Sequence, residues 1–336
     1  MDLFITFDYE LFLGPKTGSV ENCLIRPTER YLELAERLGI HYIFFVDVLY
    51  LLKLREHMAN HEASKKDYHL IIVQLSEAVK RGHDIQLHLH PQWFYSSYDE
   101  GGWKLDYKHY KIDDCPIEDV SRMIKSGGDL IKEISGIPPT AYRAGGYSFP
   151  SDIRIVKMLH DSGIVIDSSV VMFSKSKSVF QSYDYSKIKS FDTYNFYLHN
   201  SLPSWKEESR FVEYPISCCR VSWLNTFKKK KKLRNYHTED SETYGDGIGV
   251  GAMEERAYNG RLNKFPKVFS KKTIRASLDF TNAFNLQLIY KTAKRFNSSI
   301  MLIIGHPKNT TNISLEILEK FIKENSLSNH VKTFGK

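Results

Sequence analysis

The apolar residues of the chain fall into two kinds of run. One kind is short, unbroken and rich in aromatic and β-branched side chains, as at residues 3–8, 41–47, 163–169 and 300–304. Such runs predict buried strands. The other kind repeats with helical spacing. After Pro27, the residues Tyr31, Leu34, Ala35 and Leu38 mark one helical face, and Gly39 stops it. Further helices are expected from Asp47 to about Met58, Tyr68 to about Lys80, Pro116 to about Ser135, Pro150 to about Ser162, Asn285–Arg295 and Leu315–Lys323. Strands and helices therefore alternate as β-α-β units, and strands this apolar belong to a parallel sheet covered by helices. No linker separates two cores. One domain spanning 1–336 is expected, with about seven to eight units and an irregular insertion around 225–270.

The stretch from Gly82 to Pro91 has a different pattern. Asp84, Gln86, His88 and His90 stand at even spacing, the period of a strand, so one face ends in two imidazoles. Residues two apart on a strand face are ~7 Å apart, close enough for both rings to meet one ion. His83 is out of phase and ~17 Å from His88, so it stays apart. Other strands also end in polar groups. The first carries Asp8 and Glu10 on one face, and carboxylates buried there call for a cation or an arginine. The segment from Ala141 to Tyr147 delivers Arg143 next to two glycines, Glu213 ends another apolar segment as a candidate site-lining acid, and the run at 300–304 delivers His306.

Composition narrows the function classes. A chain of 336 residues with 42% hydrophobic and 13% aromatic residues has ample core for a globular domain. The net charge of +7 is modest, and part of it sits in the run Lys228–Lys232. That run is read as a solvated face with peripheral membrane contact as the minor reading, and nucleic acid is not expected as a partner. Four cysteines without a C-x-x-C spacing suit a reducing compartment. With neither a signal-peptide pattern nor a membrane span, a cytoplasmic location is expected. The Gly-rich stretch from Gly245 to Ala252 lacks the residues of a phosphate-binding loop. The loop from Pro91 to Lys111 is rich in aromatics, of which Trp93 is the candidate for stacking on a substrate ring, against the plainer role of holding the loop down.

In a parallel α/β fold the C-terminal strand ends share one face, where sites form, and Asp8, Glu10, His88, His90, Arg143 and His306 all fall there. Thr6-Phe7-Asp8, the histidines before Pro91, Arg143 before a Gly-Tyr turn and Gly305-His306-Pro307 together resemble the polysaccharide deacetylase family, also called NodB-homology or carbohydrate esterase 4. The resemblance spans nearly the whole chain. It implies an α/β fold, a distorted (β/α) barrel of about seven parallel strands. It also implies a metal-dependent hydrolase removing an N-acyl group, foremost N-acetyl, from an amino sugar in surface-polysaccharide biosynthesis. By the same resemblance Asp8 would be the general base, Arg143 would orient it and His306 would protonate the leaving amine. His88, His90 and a third ligand, Glu10 or Asp8 itself, would hold a divalent metal, zinc first among the candidates, and Tyr147 would contact substrate. The substrate would be an N-acylated sugar, a nucleotide-sugar or a glycan.

The chain departs from the family pattern at three places. Asp8-Tyr9 replaces paired aspartates, the histidines stand two apart rather than four, and the step from Arg143 to Tyr147 is one residue longer. Two alternatives stay open: a catalytically inactive glycan-binding protein on the same barrel, and an amidase or deformylase acting on a non-polymeric substrate.

Overall fold

The computed structural model describes residues 1–99, 102–195, 211–222, 236, 239–250 and 271–335. Seven parallel strands form its centre: β1 Asp2–Tyr9, β2 Ile43–Asp47, β3 Asp84–Leu89, β4 Ala141–Ala144, β5 Ile166–Asp167, β6 Val212–Glu213 and β7 Ile300–Gly305. Their order in the sheet is β6-β5-β4-β3-β2-β1-β7. From Leu3 to Tyr9 and through all of β2 and β7 every residue is buried, as expected where helices cover one face and a packed interior fills the other. The sheet curls until its two ends meet. Ser217, just past β6, donates its backbone N–H to the Leu302 carbonyl (3.1 Å), and the segment at 276–278 pairs with both Ser217 and Ile304. Val331–Lys332 pairs with Leu3 and Phe4 below the point where β2 begins, and Tyr194–Asn195 adds an antiparallel edge to β6.

The α-helices of more than one turn among the described residues are α1 Arg26–Leu38, α2 Val48–His57, α3 Glu62–Lys80, α4 Ile117–Ser135, α5 Ile153–Asp161, α6 Leu286–Arg295 and α7 Asn312–Glu324. Most lie where helical spacing puts them. The start of α3 is earlier than expected, because its first turns are largely solvent-facing and carry no apolar stripe to betray them. β4 and β5 are shorter than expected. At Gly145 the chain turns away, and after Asp167 the Ser169 amide and hydroxyl fold back onto the Asp167 carboxylate (2.9 and 2.7 Å) instead of continuing a ladder.

Lys228–Lys232 and most of the insertion around 225–270 lie outside the described residues. Its glycine-rich part is described to Val250 and forms a strap. Ile248 pairs with Lys16, the Gly245 amide donates to the Lys308 carbonyl (3.1 Å), and the Val250 amide donates to Leu13 (3.1 Å). A Cβ on Gly245 would lie 2.3 Å from the Lys308 carbonyl oxygen, so close backbone contact is what this glycine serves. Among the described residues no helix is long and apolar enough to cross a membrane.

Candidate active site

A cavity of about 410 Å³ opens at the C-terminal ends of the strands, with Asp8, Glu10, His88, His90, His306 and Lys308 in its wall. Strand register explains the convergence. Tyr9 is opposite Val46, Asp47 opposite His88, and His88 opposite Arg143, so Glu10, one step beyond β1, falls into the row Asp47-His88-Arg143. Tyr9 points the other way, donating its hydroxyl to Gln74 of α3 (3.0 Å). The extended chain through Tyr9 thus places the inward acid two residues after Asp8.

One donor atom from each of Glu10, His88 and His90 lies within 4.8 Å of the others, and all three residues are buried. Glu10 Oε2 is 3.4 Å from His88 Nε2, and His90 Nε2 closes on the same oxygen. Glu10 Oε2 and His88 Nε2 make no hydrogen bond of normal geometry among the described residues. His88 Nδ1 donates to the Arg143 carbonyl (2.7 Å), which turns Nε2 toward Glu10. The His90 ring stands edge-on to His88, at 4.6 Å between centroids, against Gly145. A Cβ there would lie 2.8 Å from His90 Nδ1, so the closely spaced histidine and the glycine after Ala144 fit one another. A carboxylate and two imidazoles, buried and converging, are a donor set that suits a divalent cation.

The acids facing the cavity meet cations. Arg143, fully buried, donates from Nη1 to Asp8 (2.5 Å), from Nη2 to Thr6 and Ser168 hydroxyls (2.9 and 2.8 Å) and from Nε to the Ser168 carbonyl (2.8 Å). Its guanidinium also lies over the Phe45 ring at 4.0 Å. Asp8 is thereby fixed with its second oxygen 3.5 Å from His306 Nε2. His306 donates from Nδ1 to Asp279 (3.0 Å), and its backbone N–H donates to the same carboxylate (2.9 Å). Lys308 donates to Glu10 Oε1 (2.9 Å) and to the Leu11 carbonyl (2.6 Å).

Protonation follows these pairings. Burial opposes ionisation of Glu10, but Lys308 and the two histidines outweigh it and hold the carboxyl well below its usual range. Burial opposes charging His88, yet Asp8 and Glu10 push it up to about 9. For His90 burial wins and the ring is lowered. His306 is raised, burial being outweighed by Asp279. Asp47, fully buried with neither oxygen in a normal hydrogen bond, is pushed up to about 8 by burial, with His88 and the His90 amide acting the other way.

Two residues expected at the site lie elsewhere. Trp93 is fully buried, packed on Tyr50 and Trp103 at 4.7 and 5.1 Å, so it holds the loop down and does not line the cavity. Glu213 is fully buried against Asp167 in the neighbouring strand, also away from the cavity wall. Tyr147 does line the cavity. Its φ of +61° is strained for a bulky residue, and it is held by Arg275 donating to its hydroxyl (3.0 Å) and by Tyr185 donating to its carbonyl (2.8 Å). His83 stays apart as its phase predicts, stacked on Tyr42 and accepting from the Tyr42 amide (2.9 Å).

Three residues at the site escape sequence reasoning. Asp47 carried a signal, since it ends a buried strand as Asp8 nearly does. Lys308 carried only its closeness to His306. Asp279 carried none, because its segment is placed by Ser217 and Ile304 from distant parts of the chain.

No family model matches the chain, and no curated protein matches it. Solved structures do. A probable polysaccharide deacetylase from Pseudomonas aeruginosa PAO1 has 11% identity, covers 98% of this chain and 89% of that one, and gives a TM-score of 0.47. An allantoinase has 12% identity, with 98% and 85% covered and a TM-score of 0.47. A GH57-type branching enzyme from Pyrococcus horikoshii has 10% identity, with 98% and 68% covered and a TM-score of 0.50. By its own topology the fold is a curled α/β barrel of seven parallel strands, an architecture it shares with the branching enzyme. At such identities the likeness is one of architecture, and the reaction has to be argued from the side chains at the open end of this barrel.

Proposed function

We propose that the protein is a divergent polysaccharide deacetylase that hydrolyses the N-acyl group, foremost N-acetyl, of an amino sugar. Glu10, His88 and His90 would hold a divalent cation, zinc first among the candidates. The observation that carries this reading is the meeting, in one cavity, of three buried donors with an arginine-held carboxylate and a carboxylate-held histidine. When bound, the cation would polarise the acyl carbonyl and make water more acidic.

The remaining work falls to the chain's own groups. Asp8, oriented by Arg143, takes a proton from the attacking water as the water oxygen bonds to the acyl carbon. His306, kept protonated by Asp279, gives its Nε2 proton to the departing nitrogen as the C–N bond breaks. Tyr147, held in the wall beside them, would contact the sugar or acyl group. Products are a carboxylate and a free amine. An N-acylated sugar, a nucleotide-sugar or a glycan of surface-polysaccharide assembly would be the substrate. A cytoplasmic setting is supported by four unpaired cysteines.

The test is acetate release from N-acetylated sugar precursors by protein supplied with zinc or cobalt. The reading expects turnover in the wild type and its loss in Asp8→Asn with folding intact. Turnover that survives Asp8→Asn, or none with any N-acetylated sugar, would contradict it.

A further inference from the structure

Lys308 has no part in the steps above, yet it is buried in the cavity wall and bonded to Glu10. Two elements fix it there. Its side chain reaches past the Phe12 ring, 5.0 Å from the ammonium, to Glu10 Oε1 and the Leu11 carbonyl, while the strap takes its own carbonyl through the Gly245 amide. The two oxygens of Glu10 are thereby divided. Oε1 faces the ammonium, with His306 Nε2 3.5 Å away, and Oε2 faces His88 and His90.

We propose that Lys308 is a positioning residue that makes Glu10 a one-oxygen ligand and cancels its charge, so that the cation site is formally neutral. This rests on the metal-dependent reading of the same site. A carboxylate and two neutral imidazoles would give a set of charge −1, and the ammonium beside them brings it to zero. The protein thus holds its cation less tightly than the ligands alone would, and leaves more of the cation's charge for the substrate carbonyl. Removing the ammonium favours a divalent ion about twice as much as it favours a proton competing for the same donors, so the net effect is tighter binding.

The experiment is a titration of cobalt(II) and zinc(II) into the full chain, comparing wild type, Lys308→Met, Lys308→Gln and Lys308→Arg, with a thermal melt of each in chelator to verify folding. Lys308→Gln retains an N–H for Glu10 without the charge, so it carries the test if the methionine variant does not fold. The proposal expects the neutral variants to bind at least about tenfold tighter while kcat falls. Lys308→Arg should bind like the wild type. A residue with a merely structural role would weaken binding on removal, typically by about 10–100-fold. Unchanged or weaker binding by the folded neutral variants would overturn the proposal while leaving the metal-dependent reading in place. A wild type that binds neither ion would overturn both.

Discussion

Two pairs of buried acids sit at strand ends of this barrel, and their surroundings are opposite. Asp8 and Glu10 at the end of β1 each meet a cation, Arg143 from β4 and Lys308 from beyond β7. Asp167 and Glu213, the last residues of β5 and β6, are side by side in register and meet each other. At β1 both carboxylates face a cavity, and Glu10 is held ionised there. At β5 and β6 burial raises both acids, and the pair's other partners are the Ser169 amide and hydroxyl and the Val170 amide. These two pairs therefore show two physical outcomes for acids at a strand end. The cation that arrives from a distant part of the chain decides between them.

The contrast between the two pairs is broken most severely by removing the cation that Asp8 meets. Arg143→Met leaves Asp8 buried without a counter-charge and strips donors from Thr6 and Ser168, so a loss of about 3–5 kcal/mol in urea-unfolding free energy is expected. A smaller perturbation acts on His306 alone. Asp279→Asn should lower kcat by about 10²-fold, with fold and cation binding intact. Because the Asp279 carboxylate is what raises His306, the basic limb of the kcat profile should move to lower pH. An unmoved limb would mean that His306 is not the acid.

The mildest effect is expected at the other pair. Glu213 is raised in the folded state, so the fold binds more protons than the unfolded chain between the unfolded and folded values, and stability falls as pH rises through that window. Glu213→Gln removes this dependence while keeping a donor for Asp167. Its melting temperature should exceed the wild type by about 2–4 °C at pH 7–8, and the gain should vanish near pH 4. Turnover should not change, since Glu213 lies outside the cavity wall.

Much of this arrangement was legible along the chain. The apolar runs of β1, β2 and β7 announce buried parallel strands, and the spacings of Asp8 with Glu10 and of His88 with His90 fix which side chains share a face. What was not legible depends on packing between distant segments. Glu213 and Glu10 look alike as strand-end acids, and only the curl of the sheet gives one a cavity and the other a second acid. Trp93 looks like a loop aromatic until Tyr50 and Trp103 enclose it. The departures from the family pattern are local and mutually consistent. Tyr9 turns outward to Gln74 so that Glu10 turns in, and Gly145 leaves the room that His90 fills.

The central claim is that Glu10, His88 and His90 hold one divalent ion. Its most direct test is calorimetric titration of zinc into the chelator-stripped wild type and into His90→Ala. The account predicts one ion per wild-type chain, and in His90→Ala a loss of affinity larger than the about 10–100-fold that removing a group behind a ligand costs. A wild type that takes up no ion, or a variant that binds with the same stoichiometry and affinity, would contradict it.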